Sequence, residues 1–360
     1  MTKMQARPTD VFGPPLGKRR SGSHPCKRAR TGDAFPSASK PLLMARRSSS
    51  RRSSARRPFR AFLWLNLAVA LLIGGWYIVQ PAERQHDVAR LVRNTLARDK
   101  QVSPLDLAWD IWTLYYAEPA GPAVAGQAGG AFAYGGTPRE PAGGAVRVLN
   151  NRAYAVGYDD VLAAPRWAAY RLHDLARVGE PPPRPERFSV DRRTTARVEP
   201  SDYSGSGYDR GHLAPNYAIA VHYGADAQLE TFLMSNIAPQ RHALNAGVWK
   251  RLEQRIATNY PARYGEVWVL CGPIFGEPPR RLRRGAAVPD AFYLIVLDEK
   301  EGQLRAQAFI FPQETPESAR PDDFLASIDE IERRTGLDFL PDLSTEAQAR
   351  IESARAARTW

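Results

Sequence analysis

Nineteen consecutive residues, Ala61 to Val79, carry no charge and consist mostly of Leu, Ala, Val, Ile, Phe and Trp. As a helix this run extends about 28 Å, close to the hydrocarbon thickness of a bilayer. Seven arginines lie between Arg46 and Arg60, against three between Pro81 and Thr95. That asymmetry keeps the amino terminus in the cytoplasm and sends everything after Val79 across the membrane. Ile78-Val79-Gln80-Pro81 lacks the small-x-small pattern of a cleavage site, so the run is predicted to be an uncleaved signal anchor. A buried core helix fits poorly, because the run has no amphipathic pattern and its flank is strongly basic.

The anchor divides the chain into parts of very different charge. Residues 1–60 hold 16 Lys and Arg against Asp10 and Asp33, whereas residues 61–360 hold 34 basic and 36 acidic side chains. The tail is rich in Ser, Pro and Arg and cannot bury enough apolar surface to fold, so it is predicted to be disordered and cytoplasmic. Met44 opens Met-Ala-Arg-Arg-Ser-Ser-Ser, a second candidate start. Because the rest is nearly neutral, any surface that binds a polyanion must be a local cleft. Cys26 and Cys271 would lie on opposite sides of the membrane and form no disulfide; Cys271, in Val-Trp-Val-Leu-Cys, is a buried strand residue.

Beyond the anchor, Val88, Leu91, Val92 and Leu96 recur at helical spacing, and Ser103-Pro104 opens a second helix. Residues 80–116 are thus a helical stalk or a partner surface. Residues 117–144 are Gly, Ala and Pro with little periodicity, a flexible linker. From Ala145 on, Val146–Val148 and Ala153–Tyr158 flank the turn pair Asn150-Asn151 and predict a β-hairpin. Further strands are predicted at Trp167–Leu172, Val267–Ile274, Phe292–Leu297 and Ala306–Phe311. Ser327-Ile328-Asp329-Glu330 is a capping box that opens a helix ended by Gly336. The fold class is α+β with a mostly antiparallel sheet flanked by helices over residues 145–343, preceded by one transmembrane helix and followed by a tail, 344–360.

The chemistry is concentrated between Tyr208 and Glu253. Asp209-Arg210-Gly211-His212, Ser235-Asn236-Ile237-Ala238-Pro239-Gln240 and Leu244-Asn245 with Trp249 and Leu252-Glu253 follow one another. Phosphodiester hydrolysis needs a base for water, positive charge on the phosphate and help for the leaving alkoxide. His212 suits the first role, since imidazole titrates near neutrality. The Asn245 amide oxygen is a hard, neutral ligand of the kind a hydrated Mg²⁺ uses, and Arg210 can oppose charge on phosphorus oxygens. Trp249, Leu252 and Ile256 share one helical face, with Asn245 at the helix start as a cap. In an unbroken helix Glu253 would sit about 12 Å further on and roughly 80° round. A metal site of His212 and His242 is the alternative in this stretch; otherwise His222 and His242 are loop residues, and Asp209 is structural.

These three motifs resemble the DNA/RNA non-specific endonucleases of the ββα-metal type. The resemblance spans about 200 residues and implies that fold, with His212 as general base and Asn245 as the one protein ligand of a hydrated Mg²⁺, for which Mn²⁺ is a substitute. It further implies that Asn236 and Glu253 orient the water network, that Arg210 faces the phosphate and that Arg187 is the family's upstream arginine. The family has Gln after the ligand Asn, where this chain has Ala246.

The implied activity is a membrane-anchored, Mg²⁺-dependent cut of DNA and RNA that leaves 5′-phosphates. The location is a single pass in a bacterial inner membrane with the catalytic domain in the periplasm, or alternatively the mitochondrial intermembrane space, since an Arg- and Ser-rich leader also suits import. One other class stays open: a surface protein of the same fold that captures nucleic acid, its chemistry lost at Ala246. A homodimer through the helices before Gly144 also stays open, and nothing in the residues identifies an inhibitor protein.

Overall fold

The computed structural model describes residues 56–116, 131–140, 144–300 and 302–360. The basic tail up to residue 55, with Cys26 and Met44, and residues 117–130 lie outside the described residues. Helix α1 (Arg56–Ile78) includes 20 residues, Phe59–Ile78, that are long and apolar enough to cross a membrane and are exposed to the surroundings.

Residues Val69–Trp360 form one compact unit. It takes in the last turns of α1 and continues with α2 (Ala82–Leu96) and α3 (Pro104–Tyr116). Ser103 caps α3 reciprocally: its hydroxyl accepts the Asp106 N–H at 3.1 Å, and the Asp106 carboxylate accepts the Ser103 N–H at 3.0 Å. Strands β1 (Val146–Asn150), β2 (Tyr154–Asp159) and β3 (Ala164–His173) form a meander, with the first hairpin turning at Asn151. Then come β4 (Asp209–His212), α4 (Asn216–Tyr223), α5 (Ala225–Glu230), β5 (Ile237–Gln240), the single turn α6 (His242–Leu244) and α7 (Lys250–Tyr264). Next are β6 (Glu266–Ile274), the short β7 (Arg280–Arg281) and β8 (Ala287–Val288), β9 (Ala291–Lys300) and β10 (Gln303–Pro312). The chain closes with β11 (Leu325–Ala326), α8 (Ile328–Thr335) and α9 (Thr345–Glu352).

Among the described residues, seven strands form one antiparallel sheet in the order β1-β2-β3-β6-β9-β10-β11. Its central strands are apolar on both faces, as expected of a sheet covered on both sides. On one face Val267, Val269, Cys271, Phe292, Leu294 and Val296 pack with Trp249, Leu252 and Ile256 of the α7 region. On the other, Trp268, Leu270, Tyr293, Ile295 and Leu297 pack with Ile328, Ile331 and Ile351 of α8 and α9. The α+β class, the strands and the Ser327 cap therefore match their sequence patterns; Ser327 accepts the Glu330 N–H, and Gly336 ends α8 in a left-handed conformation.

Three segments differ from the sequence expectation. Helices α2 and α3, expected as a helical stalk or a partner surface, form a collar on α7. Asn94 donates to the Ala262 carbonyl at 2.7 Å, Lys100 meets Asp174 at 2.7 Å, and Arg263 clasps Asp110 through two bonds of 2.8 Å. Buried polar side chains hold this joint, so hydrophobic periodicity does not reveal it. Within the Gly/Ala/Pro stretch, residues 131–140 are packed: Tyr134 is buried edge-on against Trp268 at 5.0 Å, and the Arg139 main chain pairs with that of Asp338. The carboxyl-terminal segment is likewise docked, with Trp360 at 5.2 Å from Tyr264 and 5.8 Å from Tyr260.

Candidate active site

Strands β4 and β5 pair antiparallel, Asp209 with Gln240, Gly211 with Ala238 and His212 with Ile237, so the first two motifs are the two arms of one ribbon. Gly211 is required there, because a β-carbon would come within 2.8 Å of Gln240 Cβ. The ribbon delivers His212 to the rim of a cleft of about 260 Å³, which is also lined by Asn245, Glu253, Arg210, Arg184 and Lys250. The third motif supplies the opposite wall, giving two strands and a helix around one polar pocket.

His212 sits among rings, 5.0 Å from Phe232 and 5.4 Å from Phe188 between centroids. Its Nε2 is buried and has no hydrogen-bond partner. Burial, reinforced by the nearby Arg184 charge, lowers its pKa from 6.5 to about 3. The imidazole is therefore a neutral base with a free lone pair over the whole physiological range.

Asn245 is not a helix cap. It already has helical backbone angles (φ −59°, ψ −47°), inside a widened turn over Asn245–Trp249 that breaks at Gly247. Gly247 is needed because a β-carbon would come within 2.8 Å of Glu317 Cα. The break also changes the winding between Asn245 and Glu253. A uniform helix would turn them roughly 80° apart, but a widened, kinked turn does not hold that phase, and both residues face the cleft. Asn245 Nδ2 donates to Asp209 Oδ2 at 2.9 Å, so the amide oxygen takes the opposite direction. His242 Nδ1 contacts the same Asp209 oxygen at 2.8 Å and does not line the cleft, so the His212/His242 metal site is not formed. His222 belongs to α4, where its Nε2 meets the Ala257 carbonyl, rather than to a loop.

Glu253 Oε1 accepts the Trp249 indole N–H at 2.7 Å. Burial raises its pKa to about 8, partly offset by that bond and by Lys250. Arg210 donates twice to the Pro200 carbonyl, at 2.7 and 3.1 Å, and lies over Phe188; it does not pair with Asp209.

Two expected site residues stand elsewhere. Asn236 does not reach the cleft: it accepts the Ala214 N–H at 2.9 Å and donates to the Ala214 and Thr231 carbonyls, each at 3.0 Å. It clamps the segment that follows His212. Arg187 is exposed and does not line the cleft, whereas Arg184, three residues earlier, does, its guanidinium 5.0 Å above the Phe232 ring. Arg184-Pro185-Glu186-Arg187 offers two arginines to a sequence reader, and the position of Phe232 selects between them.

The donor set suits a hydrated divalent ion. Asn245 offers one neutral oxygen, Glu253 is the only carboxylate among the described residues lining the cleft, and its bound oxygen is already held by Trp249. An ion here would keep most of its waters, as Mg²⁺ readily does.

Residues 136–346 match the family model described as DNA/RNA non-specific endonuclease. The chain belongs to that family. Over 222 residues it is 31% identical to human mitochondrial endonuclease G, covering 57% of this chain and 73% of the relative. Over 248 residues it is 32% identical to the bovine protein of the same name, covering 64% and 79%. A solved chain from an EndoG/EndoGI complex is 24% identical, covering 56% of this chain and 88% of that one, with a TM-score of 0.49. Family membership makes the protein a nuclease of the metal-dependent class.

Proposed function

We propose that the protein is a membrane-anchored, Mg²⁺-dependent endonuclease that hydrolyses phosphodiester bonds in both DNA and RNA. The observation that carries this reading is His212, a neutral imidazole packed among Phe188 and Phe232, lining the same cleft as Asn245. His212 takes a proton from the attacking water at the ring nitrogen that faces the cleft; its ring is held by Phe188 and Phe232, and its neutral state by burial and Arg184. Asn245, aimed by Asp209, would hold the ion, and Glu253, fixed by Trp249, would accept hydrogen bonds from its waters. Arg184 and Arg210 meet the phosphate oxygens, where pre-placed charge matters most. A bound Mg²⁺ supplies Lewis-acid stabilisation of the pentavalent phosphorus and of the departing 3′-oxygen. Contacts to phosphate carry no base or sugar information, which accounts for cutting both polymers.

Helix α1 and the arginine asymmetry around it support anchoring, with the catalytic unit on the far side of the membrane from the cytoplasm. In a bacterial cell that is the periplasm, where an unselective nuclease is separated from the genome.

The test uses the full chain in detergent with plasmid and RNA, in Mg²⁺, in EDTA and as His212→Ala. Metal-dependent cleavage of both polymers that the substitution abolishes is the expected result. A folded protein that binds DNA without cutting it would instead establish nucleic-acid capture.

A further inference from the structure

On the face of the sheet away from the cleft, α8 and α9 bring three carboxylates together. Asp329 and Glu332 lie one turn apart on α8, and Glu352 is the last residue of α9. One oxygen from each lies within 4.8 Å of the others. Glu352 is the unusual member: it is only 7% exposed, and its Oε1 has no hydrogen-bond partner. Glu332 spends one oxygen on the Phe339 N–H at 2.8 Å. Burial first, and then the acidic neighbours Glu332, Asp338 and Asp329, raise its pKa to about 8. A buried carboxylate with no donor and acidic neighbours needs either a proton or a cation.

We propose that Asp329, Glu332 and Glu352 bind one hard divalent cation, Ca²⁺ in preference to Mg²⁺, which staples α9 to α8. Oxygens that all lie within 4.8 Å of one another can be reached by one ion at calcium–oxygen distances of about 2.3–2.6 Å. Ca²⁺ also accepts irregular, all-oxygen shells completed by water, and exposed Asp329 leaves a side open to solvent. This ion is separate from the one at Asn245, and the proposal stands whether or not the nuclease reading holds.

The test is calorimetric titration and thermal unfolding of the metal-stripped full chain in detergent, with CaCl₂, MgCl₂ or EDTA at neutral pH. The native chain should bind one Ca²⁺ that survives Asn245→Ala. It should also melt about 5–10 °C higher when free Ca²⁺ is about 100-fold above its Kd than in EDTA. Glu352→Gln is isosteric and removes one repelling charge, so it should fold, melt in EDTA at or above the native chain and lose the calcium shift. Asp329→Asn, at an exposed position, should reduce the same shift and serves if Glu352→Gln misfolds. A native chain that melts alike in Ca²⁺ and EDTA would overturn the site and leave a proton shared between Glu332 and Glu352. A Glu352→Gln variant that keeps the full shift would overturn it as well, and an equal shift with Mg²⁺ in the Asn245→Ala background would overturn the calcium preference.

Discussion

Replacing Asn236 by Ala separates two roles for a residue that its motif places in the catalytic water network and its geometry places behind it. The side chain is buried and satisfies three main-chain groups, the Ala214 N–H and the Ala214 and Thr231 carbonyls. Each buried group left unpaired costs about 1–3 kcal/mol. The vacated volume can admit a water that re-pairs one of them, so the sum falls at about 4 kcal/mol. At roughly 2–4 °C per kcal/mol for a domain of this size, the unfolding midpoint of the compact unit should drop by about 8–16 °C. Ala214 is two residues from His212, so cleavage should fall too, by about 10²-fold if the imidazole moves by an ångström. The assay pairs circular-dichroism melts with plasmid cleavage over a Mg²⁺ series. A variant that melts within 2 °C (about 1 kcal/mol) of the native chain, yet cuts poorly and needs more Mg²⁺, would refute the clamp and restore Asn236 to the water network.

Two further outcomes follow from the cleft. Arg184→Ala should lower kcat/KM on supercoiled plasmid by about 10–100-fold through loss of charge on the phosphate, while Arg187→Ala should stay within about twofold; equal losses would mean that the exposed arginine also reaches substrate. The pH profile of single-turnover cleavage at saturating metal has two contributions: the lowered His212 pKa keeps the neutral base present further into acid, so no loss centred near pH 6.5 comes from that residue, whereas a fall centred near pH 8 would report protonation of Glu253. An unperturbed imidazole would retain only about 3% of its base form at pH 5, so a decline centred near pH 6.5 would contradict the burial argument.

The sheet was legible because its strands alternate or run apolar in short blocks between turn residues, as in Val267–Ile274, and the Trp249, Leu252 and Ile256 stripe announced the helix across it. His212, Asn245, Glu253 and Arg210 were legible because their motifs place them on the two strands and the helix that frame the cleft. What escaped rests on interactions without a period. Asn94 and Arg263 join the collar to α7, and Lys100 joins it to Asp174 after β3, through buried polar contacts, and periodicity registers only apolar faces. Tyr134 is a single ring in a Gly- and Ala-rich stretch, too sparse to signal a packed segment. The break at Gly247 is set by the approach of Glu317, some seventy residues away, so helical-wheel angles from Asn245 to Glu253 could not anticipate it.

The collar also bears on modularity. The family segment, residues 136–346, begins after α2 and α3, yet Asp174 and Arg263 inside it take their counter-charges from Lys100 and Asp110 outside it. Arg263 is almost wholly enclosed, and stripping its partner would strand a buried charge at about 3–5 kcal/mol. What is inherited as a nuclease cassette and what folds as a unit therefore have different boundaries. A chimera that grafts residues 136–346 onto another anchor would carry the catalytic groups but leave the helix beneath them without its electrostatic counterweight.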